Sequence, residues 1–154
     1  MNQDEKYLIF AHYHSKGLVR KDIVEFLNES KKYFTKIVLV STKINVKELR
    51  KISKKIKVIK RKNTGYDFYS YKVGWEYIEK LTYYNFDSKK LYFINSSILF
   101  TNPKKILAKI KKIYVKKNEF WGLSRSFELT DHIQSYFFFF SANLFKNKNI
   151  FNWW

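Results

Sequence analysis

Arg61-Lys62-Asn63-Thr64-Gly65-Tyr66-Asp67-Phe68 stands between the short β-branched run Val58-Ile59 and a segment where Phe68, Tyr71, Trp75 and Ile78 recur at helical spacing. A polar turn holding a glycine, entered from a strand and left through a helix, is the joint of a strand-helix unit. Asn63-Thr64-Gly65 marks the tight turn, and Gly65 can take a left-handed backbone conformation without steric cost. The start of the helix presents unpaired N–H groups to an anionic ligand, and Arg61 can add charge there. Asp67 has two readings at this point. It either caps the helix, or it accepts a hydrogen bond from a sugar hydroxyl or a base amine.

Working outward toward the N-terminus, the same alternation repeats. Ile37-Val38-Leu39-Val40 is a β-branched strand ending at Ser41-Thr42, and Asn45 with Glu48 makes a capping-box-like start for a helix carrying Leu49 and Ile52. Tyr7-Leu8-Ile9-Phe10-Ala11 is a buried strand that runs into polar His12-Tyr13-His14-Ser15. Val19, Ile23, Phe26 and Leu27 then line one face of an amphipathic helix.

In the other direction Leu91-Tyr92-Phe93-Ile94 reads as a fourth strand. Asn102-Pro103 supplies an N-cap and first-turn pair, and Ile106, Leu107, Ile110 and Ile113 continue as a helix. Phe120-Trp121-Gly122-Leu123 and Tyr136 to Phe140 read as two more strands, separated by a polar stretch, Ser124 to Gln134, to which no regular element is assigned. The expectation is an α/β domain over 1–154 with a mostly parallel sheet, helices on both faces, and ligands at the carboxyl ends of the strands.

Composition narrows the partners. With 45% hydrophobic and 20% aromatic residues, the chain has ample material for a core. The net charge of +18 would ordinarily suggest nucleic acid or an anionic membrane surface. The excess is almost all Lys, however, with Arg confined to Arg20, Arg50, Arg61 and Arg125. Arg is the preferred bidentate reader of phosphate and guanine, so the charge reads as solvated lysine faces and nucleic acid is set aside. Cysteine is absent, which excludes disulfides, thiolate metal sites and a Cys nucleophile. The N-terminus lacks the basic-then-apolar order of a signal peptide, and no apolar stretch approaches the ~20 residues that span a bilayer.

Two further stretches carry candidate chemistry. Asn95-Ser96-Ser97 follows the fourth strand directly, at an edge where such sheets bind ligands. Its hydroxyls and amide can bind phosphate or sugar but anchor a divalent cation poorly, so no metal ligands are assigned. Asp131-His132-Ile133-Gln134-Ser135 precedes the Phe-rich strand, and Asp131 or His132 is the candidate general base on an acceptor hydroxyl. His12 and His14 lack a third ligand and read as loop-edge polar residues.

Together these stretches resemble the rhamnan synthesis F family of bacterial polysaccharide glycosyltransferases. The resemblance rests on His12-Tyr13, Asn63-Thr64-Gly65-Tyr66-Asp67-Phe68, Asn95-Ser96-Ser97, Phe120-Trp121-Gly122 and His132-Ile133-Gln134-Ser135-Tyr136-Phe137, in the family's order. It implies a GT-A-like, Rossmann-like nucleotide-sugar domain. The implied activity moves a sugar, rhamnose being the natural candidate, from a nucleotide-sugar donor to a cell-surface polysaccharide or lipopolysaccharide precursor. Asn63, Gly65, Tyr66 and Asp67 would lie in the donor pocket beside Arg61, Asn95 and Ser97 at its phosphate edge, and Gln134 and Ser135 near donor or acceptor.

The family carries Asn-Asp-Ser where this chain has Asn95-Ser96-Ser97, which leaves dependence on Mg²⁺ or Mn²⁺ open. The implied location is cytoplasmic, with peripheral contact of lysine faces on the anionic inner membrane surface, where a glycan or lipid-linked acceptor would be met. A longer transferase would be expected to continue past Trp153-Trp154, so a chain cut short at its C-terminus belongs among the expectations. A truncated, non-catalytic nucleotide-sugar or glycan-binding module is the competing reading.

Overall fold

The computed structural model describes residues 5–83, 89–112, 120–141 and 144. Its strands are β1 (Glu5–His12), β2 (Lys36–Ser41), β3 (Lys57–Lys60), β4 (Lys89–Asn95), β5 (Phe120–Gly122), β6 (Arg125–Ser126), β7 (His132–Ile133) and β8 (Phe137–Ser141). The helices are α1 (Lys21–Ser30), α2 (Val46–Leu49), α3 (Tyr66–Leu81) and α4 (Pro103–Lys112). Six strands form one sheet in the order β3-β2-β1-β4-β8-β5.

The first four strands pair in parallel, as the alternation of strand and helix predicts. Their register fixes where a ligand can sit: Ala11 lies opposite Asn95, His12 opposite Ser41 and Ser41 opposite Lys60. Four carboxyl ends therefore open on one edge. The chain leaves β1 and β4, neighbours in space, toward opposite sides of the order, which makes the gap between them a ligand crevice in open α/β sheets.

Side-chain alternation sorts the core into two layers. Leu8, Phe10, Tyr92, Ile94, Phe137 and Phe139 face α1 and α4, meeting Phe26, Leu27, Leu107 and Ile110. Tyr7, Ile9, Leu91, Phe93, Phe138 and Phe140 face α3, whose Tyr71, Trp75 and Ile78 form its buried stripe. Helices thus cover both faces. On the α3 side the approach is close: a Cβ on Gly74 would come 2.4 Å from Ile9 Cγ2, so only glycine lets the helix lie this near the strand. Trp75, 2% exposed, anchors that layer, and truncating so large a side chain costs about 3–5 kcal/mol.

The mostly parallel sheet is as expected, with one added feature: β8 runs antiparallel to both β4 and β5, which makes it mixed. Several expectations are corrected. α2 lasts one turn: Asn28 ends the segment after it, donating from Nδ2 to the Lys51 carbonyl and accepting the Ser53 N–H. The capping box at Asn45 does not form either, since Asn45 makes no side-chain cap bond. The stretch Ser124 to Gln134 contains a small hairpin, β6 with β7, outside the main sheet. Phe68 is 44% exposed and only partly covered, where its ring stacks with Phe138 at 6.5 Å and meets Tyr71 edge-on. Asn102 does cap α4, accepting the Lys105 N–H at 3.0 Å. Ile113 and Trp153-Trp154 lie outside the described residues.

Candidate functional site

The turn between β3 and α3 is built around Arg61. Its guanidinium donates to Ser70 Oγ at 2.9 Å, to the Lys62 and Thr64 carbonyls at 2.7 and 2.5 Å, and to the Tyr66 carbonyl. It also lies over the Tyr69 ring, 5.1 Å from the centroid. Arg61 therefore holds the turn together from inside. Gly65 is the N-cap of α3 with φ 68° and ψ 22°, the left-handed geometry expected of it, and it offers no side-chain cap. Asn63 and Tyr66 are exposed beside it.

Asp67 is not the cap. Its Oδ2 accepts a 2.6 Å bond from Asn95 Nδ2, across the crevice at the end of β4. The amide orientation is fixed from its other side, because Asn95 Oδ1 accepts the Ser97 N–H at 2.9 Å. Burial raises the Asp67 carboxyl above its ordinary range, opposed by the Asn95 bond and the Arg61 charge. One helical turn on, the Tyr71 hydroxyl donates to the Ser135 carbonyl at 2.8 Å, and the Asn95 N–H donates to the Tyr136 carbonyl at 3.0 Å. Burial pushes the Tyr71 hydroxyl well above its ordinary value, so it stays a neutral donor.

Three sequence stretches thus meet at one place: Gly65–Asp67, Asn95–Ser97 and Ser135–Tyr136. Tyr71 belongs with them, although sequence spacing alone places it only on the apolar stripe of the helix; its signal is its position four residues after Asp67, on the same helix face. Gln134 lies half-buried beside them, its backbone N–H donating to the Ser124 carbonyl at 3.0 Å. Ser96 ties two loops together: its N–H donates to the Ala11 carbonyl at 3.0 Å, and its Oγ accepts the Tyr13 N–H at 3.2 Å. Arg20 reaches the same loop, donating to the Ser96 carbonyl at 2.9 Å.

The side chains at the end of β4 are neutral. Hard divalent cations favour several carboxylates, and only Asp67 is bonded to this set, so it fits Mg²⁺ or Mn²⁺ poorly. Among the described residues no group of three His, Cys, Asp or Glu gathers with ligand spacing.

Asp131 and His132 lie on the β6–β7 hairpin, which leads into Gln134–Ser135, and both are exposed. Asp131 pairs with Arg125 through both carboxylate oxygens, which holds its carboxyl below the usual range. His132 Nδ1 lies 2.8 Å from the Thr130 carbonyl. A carbonyl only accepts, so Nδ1 carries the proton and the neutral ring keeps its lone pair on Nε2. His12 is buried rather than at a loop edge: Nε2 donates to the Leu18 carbonyl at 3.1 Å and Nδ1 meets Ser41 Oγ at 2.9 Å. His14 accepts the Lys16 N–H at Nδ1, 3.1 Å away.

A family model described as Rhamnan synthesis protein F matches residues 37–154. No curated protein matches the chain. No helix among the described residues is long and apolar enough to cross a membrane.

Proposed function

The chain belongs to the rhamnan synthesis protein F family, whose part is in polysaccharide biosynthesis, and from that premise we propose that it is a GT-A-like glycosyltransferase using a nucleotide-sugar donor. The observation that carries this reading is the Asp67–Asn95 pair at the carboxyl edge, between β1, β4 and the first turn of α3. Asp67 keeps acceptor capacity for a sugar hydroxyl while Asn95 holds it in place. The α3 amino end and the exposed Lys62 beside it supply positive potential for the donor diphosphate.

In this mechanism an acceptor hydroxyl oxygen attacks the anomeric carbon. The bond from that carbon to the diphosphate oxygen breaks, and the nucleoside diphosphate leaves with the electron pair. His132 Nε2 takes the hydroxyl proton; Asp131, whose carboxyl Arg125 holds below its ordinary range, is the alternative base. Fixed N–H groups and lysine charge stabilise the leaving diphosphate, with no metal invoked. Rhamnose is the proposed sugar, and a glycan or lipid-linked precursor at an anionic membrane surface the proposed acceptor.

Calorimetric titration with dTDP-rhamnose and UDP-sugars, with and without Mn²⁺, tests the donor site. Saturable binding that Asp67→Ala abolishes is expected. A folded chain that binds no nucleotide-sugar refutes the reading. Binding without turnover on membrane-derived acceptors favours the competing non-catalytic module, a reading the neutral Asn95-Ser96-Ser97 set supports.

A further inference from the structure

Tyr66 holds a backbone conformation that its side chain does not explain. Its φ is +48°, in the left-handed region that residues other than glycine, asparagine or aspartate avoid. Such strain is normally offset by packing, yet the ring is 90% exposed. The preceding Gly65 already makes the turn, and the Tyr66 carbonyl, which Arg61 binds, is a group any residue would supply. A glycine or asparagine would serve the fold better at this position. What tyrosine alone contributes is a flat ring held out into solvent next to Asp67.

The surroundings divide by chemistry. On the inner side, Asp67 and Asn95 offer directional hydrogen bonds suited to hydroxyls. The turn also carries two exposed aromatic side chains, Tyr66 and Tyr69, the latter 43% exposed with the Arg61 guanidinium over its ring. Flat aromatic and guanidinium surfaces receive nucleobases, whereas sugar hydroxyls need acceptors. We infer that Tyr66 is the stacking plate for the nucleobase of the donor, a specificity-determining residue for the nucleoside half of the ligand. This rests on the donor-site reading above, with the sugar half directed toward Asp67.

Calorimetry on the full chain separates the two ideas, using dTDP, UDP, inorganic pyrophosphate, rhamnose 1-phosphate and oligothymidylate as probes. Tyr66→Ala is expected to weaken dTDP and UDP tenfold or more while pyrophosphate and rhamnose 1-phosphate bind as to the parent chain. Tyr66→Phe is expected to stay within twofold, because the ring and not the hydroxyl stacks. Tyr66→Gly, which relieves the left-handed strain, is expected to lose nucleotide affinity and to melt no lower than the parent chain. Nucleoside diphosphate binding that survives Tyr66→Ala but fails in Asp67→Asn overturns the stacking role and leaves the donor site standing. Equal losses for dTDP and rhamnose 1-phosphate overturn it too, as does a Tyr66→Gly chain that melts lower. Salt-sensitive oligothymidylate binding tighter than that of dTDP, lost in Tyr66→Ala, replaces it with single-stranded nucleic acid. A parent chain that binds neither nucleotide nor pyrophosphate ends the donor reading itself.

Discussion

The loop from β1 to α1 and the turn from β3 to α3 leave the same edge of the same sheet, and they treat their polar groups in opposite ways. In the first, polar groups turn inward. His12 is bonded between Leu18 and Ser41, Glu48 accepts the Val19 N–H at 3.1 Å and pairs with Lys51, and Asn45 bonds the Lys16 carbonyl at 3.0 Å. In the second, the Arg61 side chain gathers the turn's carbonyls, while Tyr66 is exposed and Asp67 meets an amide rather than a cation. Neither a histidine nor a carboxylate at the ligand edge signals function by residue type. What separates them is the partner: a closed web stabilises the fold, whereas a carboxylate held by a neutral amide keeps its charge for something else.

The sharpest test of that contrast is Asp67→Asn, expected to weaken the donor by roughly 10- to 100-fold, the loss of a hydrogen bond to a charged group at about 1.5–3 kcal/mol. Its effect on folding should have the opposite sign. Because burial raises the folded-state carboxyl above its ordinary value, ionised Asp67 destabilises the fold, a penalty that grows as pH rises from the ordinary value through the folded-state one. The amide variant should therefore melt at or above the parent temperature at pH 7. A variant that melts clearly lower would make Asp67 a structural residue like Glu48 and dissolve the comparison.

His12→Ala is expected to behave in the reverse manner. It removes the bonds to Leu18 and Ser41 and should cost about 1–3 kcal/mol of stability, read from denaturant unfolding, with donor affinity unchanged. Burial lowers the His12 pKa from 6.5, with His14 and Arg20 adding to the shift and the Leu18 carbonyl and Glu48 opposing it. Above pH 6.5 both states are neutral and the stability is intact. As pH falls through 6.5 toward the folded-state value, the unfolded chain takes up the proton first and stability declines. Thermal midpoints between pH 7.5 and 5 should fall more steeply for the parent chain than for His12→Ala. Equal slopes would remove His12 as the titrating group.

The parallel half of this architecture was legible because its signals are local. β-Branched runs, turn residues and the Tyr71-Trp75-Ile78 stripe each announce one element, and their alternation implies the sheet. β8 was legible as a strand but not in its direction: four consecutive Phe, buried on both faces, carry no alternation and no turn signal to orient them. Asp67 shows the same boundary at the site. Its neighbours in sequence allowed cap or ligand equally, and the deciding partner, Asn95, lies 28 residues away. Tyr66 was readable as a motif residue, but its positive φ and its exposure were not, since both depend on how Arg61 draws the turn inward.

Arg125→Ala should have the smallest effect and carries the comparison to the hairpin. Arg125 and Asp131 are exposed, and pairs of that kind contribute little to stability, so the melting temperature should not move measurably. The variant instead acts on basicity, because Arg125 is the main cause of the low Asp131 pKa. Removing it returns that carboxyl toward its ordinary value and makes it a better proton acceptor, while the His132 Nδ1 bond to Thr130 does not involve Arg125. With His132 as the base, turnover at neutral pH should change by no more than about twofold, and its pH profile should keep its shape. A several-fold rise in turnover, with the acidic limb displaced upward, would assign the base to Asp131 instead. Asp131 would then be the opposite of Asp67: a carboxylate on the hairpin whose reactivity its ion pair suppresses.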